Sequence, residues 1–379
     1  MAARAATTII VCDAAPRRIP VARPSLPPTE ALAPYLSRID EARWYTNFGP
    51  LLNEFETRLS ARFARPTAVS TVTNGTVAIT LALQAVDCEP GSLCAMPAWT
   101  FVATAHAVRQ AGLEPWFLDV DPATWMLDPA ATVEALESAP GPVTAIVPVA
   151  AFGRLPDLDA WARVSRSTGI PVVVDAAAGF DAVTEAPVPV TVSLHATKSV
   201  STGEGGFVAS EDEALIDRVR ELSAFGFRGS RTSHRPASNA KLSEYAAAVG
   251  LASLDAWPQM RQRLGFAAQY MKVALALTPE IVFQPGWGSS WLSSVCVVGV
   301  PDGKASFLAA KLDAQGVDTR AWWSEGCHSQ PAFERCLRNR LPVTDALAGS
   351  TLGLPFSVDL DEPMSWRIVD ALISALKEA

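Results

Sequence analysis

The chain has 379 residues, of which 49% are hydrophobic and 18% charged, as expected for a globular protein long enough for two domains. A formal net charge of −8 argues against nonspecific binding to nucleic acid or to an anionic membrane. The six cysteines form no CxxC pair, which predicts neither a disulfide scaffold nor a metal site. The N-terminal apolar run is too short for a secretory signal, and there is no run of 18 apolar residues, so we expect a soluble, cytoplasmic protein.

The first two thirds of the chain alternate between helical and strand patterns. Residues 1–28 form an Ala/Pro-rich arm, and Pro27 and Pro28 end it before a first helix. After Gly75 and Thr76, residues 77–86 have the length and propensity of a helix. Short buried strands are predicted at residues 92–96, 114–119, 145–150 and 171–174. Strands separated by helices imply an α/β fold with a mostly parallel sheet, and we assign residues 29–255 to this large domain.

The pattern changes near residue 256. A long helix follows, then a strand at residues 293–300 and helices near 304–315 and 362–377. We therefore predict a smaller α+β domain over residues 256–379.

One lysine has a distinctive setting in the stretch Ser193-Leu-His-Ala-Thr-Lys198. A serine hydroxyl precedes Lys198 and a glycine-rich turn follows it, and both groups can bind phosphate. Asp175 stands 23 residues upstream, at the carboxyl end of the buried strand, where open α/β sheets collect ligands. A lysine can condense with an aldehyde cofactor, and a carboxylate can pair with a pyridinium nitrogen. The alternatives are a solvated loop lysine and a helix N-cap.

Further motifs accompany this pair, in a fixed order along the chain. They are Ile19-Pro-Val-Ala-Arg-Pro-Ser-Leu-Pro, Asn47-Phe-Gly-Pro50, Phe55-Glu56, Thr73-Asn-Gly-Thr76, Pro97-Ala-Trp-Thr-Phe-Val-Ala-Thr104, Asp175-Ala-Ala, Ser193-Leu-His-Ala-Thr-Lys198 and Ser238-Asn-Ala-Lys-Leu-Ser-Glu244. In this order they resemble the DegT/DnrJ/EryC1/StrS sugar aminotransferases over nearly the whole chain. The resemblance implies the fold type I architecture and pyridoxal 5′-phosphate as cofactor, alternating with its pyridoxamine form.

The resemblance also implies roles for individual residues. Lys198 would bind the cofactor covalently and carry protons, and Asp175 would keep the pyridine nitrogen protonated. Gly75 and Thr76 open a helix whose free amides favour an anion, and Ser193 would add a hydroxyl to the same phosphate. The alternatives for Asn74-Gly75-Thr76 are a hairpin turn and a glycosylation sequon.

Two further residues extend the expected cofactor site. Phe101 corresponds to the aromatic residue that lies on the cofactor ring, whereas Trp99 would belong to the core. Asn239 resembles the residue that reaches the phosphate from the neighbouring subunit, which implies a homodimer with shared active sites. Arg228, Arg235 and Lys241 surround Asn239 and would attract an anionic substrate.

The chain departs from the family pattern at two places. Ala178 occupies the position where relatives carry glutamine or histidine against the phenolic oxygen of the cofactor. Trp322 and Trp323 stand where many relatives have a His-Tyr pair, although His328 is kept. These last three residues are either a substrate wall or core packing.

The expected activity is amino transfer from an amino acid, by resemblance L-glutamate, to a keto sugar carried on a nucleotide. The N-terminal motifs look most like enzymes acting at C4 of dTDP-4-keto-6-deoxyglucose. Amination at C3, a GDP or UDP sugar and a cyclitol ketone remain open. So do a carbon–sulfur lyase and a noncatalytic sensor, whereas Lys198 argues against a dehydratase.

Overall fold

The computed structural model describes residues 18–379. The helices are α1 Thr29–Ala42, α2 Pro50–Ser60, α3 Gly75–Ala85, α4 Val102–Gln110, α5 Pro129–Glu137, α6 Leu158–Thr168, α7 Glu213–Ser223, α8 Glu244–Ala274, α9 Ala305–Ala314, α10 Pro342–Ser350 and α11 Glu362–Lys377. The strands are β1 Ala68–Val72, β2 Leu93–Pro97, β3 Glu114–Leu118, β4 Val143–Ile146, β5 Val174–Asp175, β6 Val190–Ser193, β7 Gly206–Ser210, β8 Val282–Phe283, β9 Cys296–Gly299, β10 Leu337–Arg338 and β11 Thr351–Leu354.

The N-terminal two thirds of the chain supply most of one mostly parallel sheet, as predicted, and β10 from the C-terminal third joins its edge. Two ladders have the orders β1-β7-β6-β5 and β10-β3-β2-β4. Parallel bridges from Ile146 to Val172 and from Val149 to Asp175 join them between β4 and β5. Within these ladders only β7 runs antiparallel to its neighbours, β1 and β6. Asp175 therefore lies at the carboxyl edge in the middle of the joined sheet, where α/β proteins bind ligands.

Strands β1 and β6 were not predicted, because hydroxyl residues interrupt their apolar runs. Ser70 and Thr71 of β1 are fully buried. The buried Glu56 accepts hydrogen bonds from the amide of Thr71 at 2.7 Å and from its hydroxyl at 2.9 Å. The polar groups of Thr71 are thus satisfied inside the core by a residue of another element, which an apolar pattern cannot reveal.

The C-terminal region contains an antiparallel sheet of order β11-β9-β8, with α9 and α11 packed against each other. Helices α9 and α11 lie where the sequence predicts them, and β9 is shorter than predicted. The long helix was expected from about residue 256 but begins at Glu244, because Ser243 caps it by accepting the amide of Ala246. Pro258 lies inside this helix. Helix α8 therefore runs through the domain boundary that we propose near residue 255.

The N-terminal segment lies along the C-terminal third of the chain. Ile19 and Ala22 form parallel bridges with Val317 and Phe356. Residues 1–17 of the predicted arm lie outside the described residues. Between residues 18 and 379, no helix combines the length and the apolar character needed to cross a membrane.

Candidate active site

The predicted phosphate-binding elements meet at the first turn of α3. Asn74 caps this helix, and its side chain accepts the amide of Val77 at 2.9 Å. A Cβ atom on Gly75 would lie 2.8 Å from Cβ of Ser193, and one on Gly206 would lie 2.8 Å from the carbonyl oxygen of Asn74. Glycine is therefore required at both positions, because a side chain there would keep the turn at Gly75 apart from Ser193 and from Gly206. The first amides of a helix lack carbonyl partners within it, so the turn at Gly75 and Thr76 can bind an anion beside the Ser193 hydroxyl.

The predicted carboxylate is buried and oriented. Asp175 is 5% exposed. It accepts the hydroxyl of Thr104 at 2.7 Å and the amide of Ala177 at 3.0 Å. Burial raises the pKa of the Asp175 carboxyl, against the lowering effects of these hydrogen bonds and of Lys198. Sequence reasoning missed Thr104 as a site residue, although it lies one helical turn after Phe101 within a predicted motif.

Lys198 lies in a turn that follows β6. Its amide donates to the carbonyl of His195 at 2.8 Å, and the glycine-rich turn is joined to this segment by the bond from the Ala196 amide to the Gly203 carbonyl, also at 2.8 Å. Burial lowers the pKa of the Lys198 amine, and Asp175 acts in the opposite direction. The lysine is thus half-buried and within the electrostatic reach of the predicted carboxylate.

Phe101 and Trp99 differ sharply in burial. Phe101 is 56% exposed at the N-cap position of α4, whereas Trp99 is 2% exposed. The Thr100 and Thr104 hydroxyls, 2.9 Å apart, link the turn at Phe101 to Asp175. Phe101 therefore has an exposed aromatic ring one helical turn before Thr104, which bonds the carboxylate.

The loop around Asn239 begins next to the phosphate turn, because the amide of Thr73 donates to the Ala240 carbonyl at 3.0 Å. Asn239 itself is exposed, and its side-chain oxygen accepts from the Lys241 amine. Arg228 is exposed too. Arg235 lies 3.4 Å from a Glu221 carboxylate oxygen and 3.8 Å from one of Asp87, so its charge is compensated within the chain.

The tryptophans near residue 322 join an aromatic cluster at the same sheet edge. Trp323 stacks on Phe152 with 3.9 Å between ring centroids and meets Trp99 edge-on at 5.4 Å. Trp322 packs against Gly353, where a Cβ atom would clash with the indole nitrogen. His328 lies 3.5 Å from the Asp345 carboxylate with a side chain only 12% exposed, and burial lowers its pKa. The position of His328 suits packing better than substrate contact.

The turn containing Ala178 is covered by Gly153. A Cβ atom on Gly153 would lie 2.8 Å from the Ala178 carbonyl oxygen. The methyl group of Ala178 cannot hydrogen-bond a ligand.

Comparison with known proteins decides the family. The sequence profile of the DegT/DnrJ/EryC1/StrS aminotransferase family matches residues 29–373. The chain belongs to this family. As a DegT family aminotransferase it uses pyridoxal phosphate, and it adopts the α/β fold with a central sheet predicted from the resemblance.

Relatives of this aminotransferase act on different nucleotide sugars. The structure of DesI, determined in the presence of its TDP-sugar product, is 31% identical with a TM-score of 0.85, covering 96% of this chain and 94% of that one. A UDP-2-acetamido-2-deoxy-3-oxo-D-glucuronate aminotransferase of Pseudomonas aeruginosa is 31% identical over 83% of this chain and 87% of its own. A dTDP-4-amino-4,6-dideoxy-D-glucose transaminase of Escherichia coli is 27% identical over 95% and 99%.

The geometry of this aminotransferase fits its cofactor. The glycine-lined helix start would hold the phosphate, and the buried Asp175 would supply an anion for the pyridine nitrogen. Lys198 would supply an amine for the aldehyde, and Phe101 an exposed ring for stacking.

Proposed function

We propose that this enzyme transfers the amino group of L-glutamate to C4 of dTDP-4-keto-6-deoxyglucose. The observation that carries the proposal is the hydrogen-bonded burial of Asp175 within electrostatic reach of Lys198. The TDP-sugar product in whose presence the DesI structure was determined and the name of the Escherichia coli relative support a dTDP 4-keto sugar.

In this proposal Lys198 and Asp175 divide the proton chemistry. When bound, pyridoxal phosphate supplies an electron sink for the carbon that loses its proton. Lys198 Nζ takes and returns that proton, which requires a neutral amine, and burial favours the neutral form. Asp175 holds the proton on the pyridine nitrogen, while Thr104 and Ala177 fix the orientation of its carboxylate.

We further propose that each site is completed by Asn239 of a second copy. Asn239 is exposed in the single chain, and the apolar rings of Phe225 and Phe227 near it are 45% and 37% exposed. Such exposure of large apolar side chains suits a surface that a second copy covers. Lys241 and Arg228 would then bring positive charge to the nucleotide.

The stacked Phe152 and Trp323 support a 6-deoxy sugar as acceptor. An aromatic wall interacts well with the apolar face and methyl group of such a sugar, and poorly with a charged uronate. We propose Trp323 as part of the acceptor wall, with Trp322 behind it.

The test is a mass-spectrometric screen of nucleotide 4-keto and 3-keto sugars incubated with the enzyme and L-glutamate. The expected product is the aminated dTDP 4-keto-6-deoxy sugar, formed together with 2-oxoglutarate. Lys198→Ala is the control and should give neither product. Amination of a different sugar would show that dTDP-4-keto-6-deoxyglucose is not the acceptor. Release of ammonia and a keto acid without any sugar would instead show a lyase.

A further inference from the structure

Two buried threonine hydroxyls connect the turn at Phe101 to the Asp175 carboxylate. The hydroxyl oxygens of Thr100 and Thr104 lie 2.9 Å apart, and that of Thr104 lies 2.7 Å from Oδ2 of Asp175. Phe101 stands between the two threonines in the chain, as the N-cap residue of α4. One short segment therefore carries both an exposed aromatic ring and a direct contact to the buried anion.

The direction of these hydrogen bonds follows from the protons available. An ionised carboxylate only accepts hydrogen bonds, and a threonine hydroxyl has one proton to donate. The Thr104 proton therefore lies on the bond to Asp175, and the Thr104 oxygen accepts the proton of Thr100. The other acceptor beside the Thr100 hydroxyl, the carbonyl oxygen of Phe101, is farther away, at 3.4 Å. Thr100 thus holds the Thr104 hydroxyl in the orientation that donates to Asp175.

The Thr104 bond matters because Asp175 is removed from water. A hydrogen bond to a charged group stabilises more than one between neutral groups, and burial strengthens it. Burial raises the pKa of the Asp175 carboxyl, and the bond from Thr104 is the largest of the effects that lower it, ahead of the Ala177 amide and Lys198. Without this bond the carboxyl would bind a proton more readily. A neutral carboxyl group cannot act as the anion that keeps a pyridine nitrogen protonated.

We propose that Thr100 and Thr104 are positioning residues for Asp175. Thr104 holds Oδ2 directly, and the Ala177 amide holds Oδ1 at 3.0 Å, so the plane of the carboxylate is fixed. Thr100 acts one bond further away, by orienting the hydroxyl of Thr104. This inference rests on the proposed role of Asp175 and adds two residues that act through it.

The test uses the holoenzyme loaded with pyridoxal phosphate that carries 15N in its ring. The 15N resonance reports whether the ring nitrogen is protonated, which a loss of stability alone would not change. Thr104→Val should shift the resonance toward that of unprotonated pyridine and slow both half-reactions at least about tenfold, the effect of losing a charge-assisted hydrogen bond. Thr100→Val should change both readouts in the same direction by a smaller factor.

Conservative variants separate the hydroxyls from packing. Thr104→Ser and Thr100→Ser keep a hydroxyl at each position and should behave like the wild type in both readouts. Normal resonance and rates in either valine variant would overturn the inference. Equal losses in the serine and valine variants would also overturn it, because the methyl groups rather than the hydroxyls would then be responsible.

Thr344→Val is the matched control for loss of a buried hydroxyl. Thr344 is buried, and its hydroxyl donates to the Asp119 carboxylate at 2.8 Å. This variant should lose stability much as Thr104→Val does and keep a normal resonance and normal rates. The same spectral change in the control would show a general effect of destabilisation, and the inference would be wrong.

Asp175→Asn separates this inference from the role on which it rests. If the resonance and rates of Asp175→Asn equal those of the wild type, the proposed role of Asp175 fails. If they change and those of the threonine variants do not, only this inference fails.

Discussion

Burial and the Asp175 carboxylate have opposite effects on the pKa of the Lys198 amine. Burial lowers the pKa of its amine, and the Asp175 carboxylate raises it. For the cofactor-free protein, we expect the rate of pyridoxal phosphate uptake to rise with pH around a midpoint below the ordinary lysine pKa of about 10.4. Asp175→Asn removes the opposing charge, so the midpoint should move to lower pH. Stopped-flow absorbance over a pH series measures both, and a midpoint at the free-lysine value would contradict the prediction.

In the proposed mechanism, the Asp175 carboxylate has a role that the amide of asparagine cannot fill. In Asp175→Asn the protein should still bind the cofactor, because Gly75, Ser193 and Lys198 are intact. Turnover should fall by about 100- to 1000-fold, as when other preorganised electrostatic groups are removed. Single-turnover rates of both half-reactions measure this loss. Near-normal rates in both would assign Asp175 a different role.

At the residue scale, the sequence points to residues whose types and order are distinctive, and it does not point to those defined by contacts. Lys198, Asp175 and Gly75 stand in ordered motifs, and the structure brings Gly75 against Ser193. Thr104 acts through a hydrogen bond to a residue 71 positions away, which no local pattern encodes.

Among the elements, α2 depends on a carboxylate from α8. The Glu244 side chain, 1% exposed, accepts the amides of Leu51 at 2.8 Å and Leu52 at 2.9 Å. Glu244→Ala would leave two buried helix-end amides unsatisfied, so we expect a loss of about 2 kcal/mol in the free energy of unfolding. Urea denaturation at fixed protein concentration measures it.

Glu54 is the matched control for that experiment. It lies on α2 itself, in an exposed ion pair with Arg38. Glu54→Ala should change the free energy of unfolding by less than about 0.5 kcal/mol, because exposed pairs contribute little. An equal effect of both substitutions would show that the buried Glu244 bonds are not special.

Element prediction succeeded where apolar runs are continuous and failed where other forces set the pattern. Strands β2 and β3 and helices α3, α9 and α11 follow from periodicity, whereas β4 and β5 share only residues 145–146 and 174 with their predicted ranges. Strand β1 does not follow from it, because the buried hydroxyl of Thr71 depends on Glu56. The start of α8 does not either, since the cap at Ser243 determines it.

For the whole molecule, shared sites predict rescue between two inactive chains. Mixing Lys198→Ala with Asn239→Ala subunits should restore part of the activity. One of the two sites in each hybrid dimer would combine an intact lysine with an intact loop, whereas the other would lack both. Activity assays after subunit exchange, with hybrids counted by native mass spectrometry, measure this.

The rescue experiment has two requirements. Asn239→Ala alone must be nearly inactive, and hybrids must form. Hybrids that stay inactive would argue against the shared site, and a monomer at working concentrations would rule it out.

Helix α8 has mechanical consequences for such an assembly. Its 31 residues form a rod about 46 Å long that starts just after the Asn239 loop and continues into the small domain. Pro258 has no amide hydrogen for the carbonyl four residues earlier, so bending at this point would break the fewest backbone hydrogen bonds. Such bending would move the residues after Pro258 while the first half of α8 stays in place. In the dimer that we propose, the Asn239 contact would then be kept during this motion, and the two sites could load their donors independently.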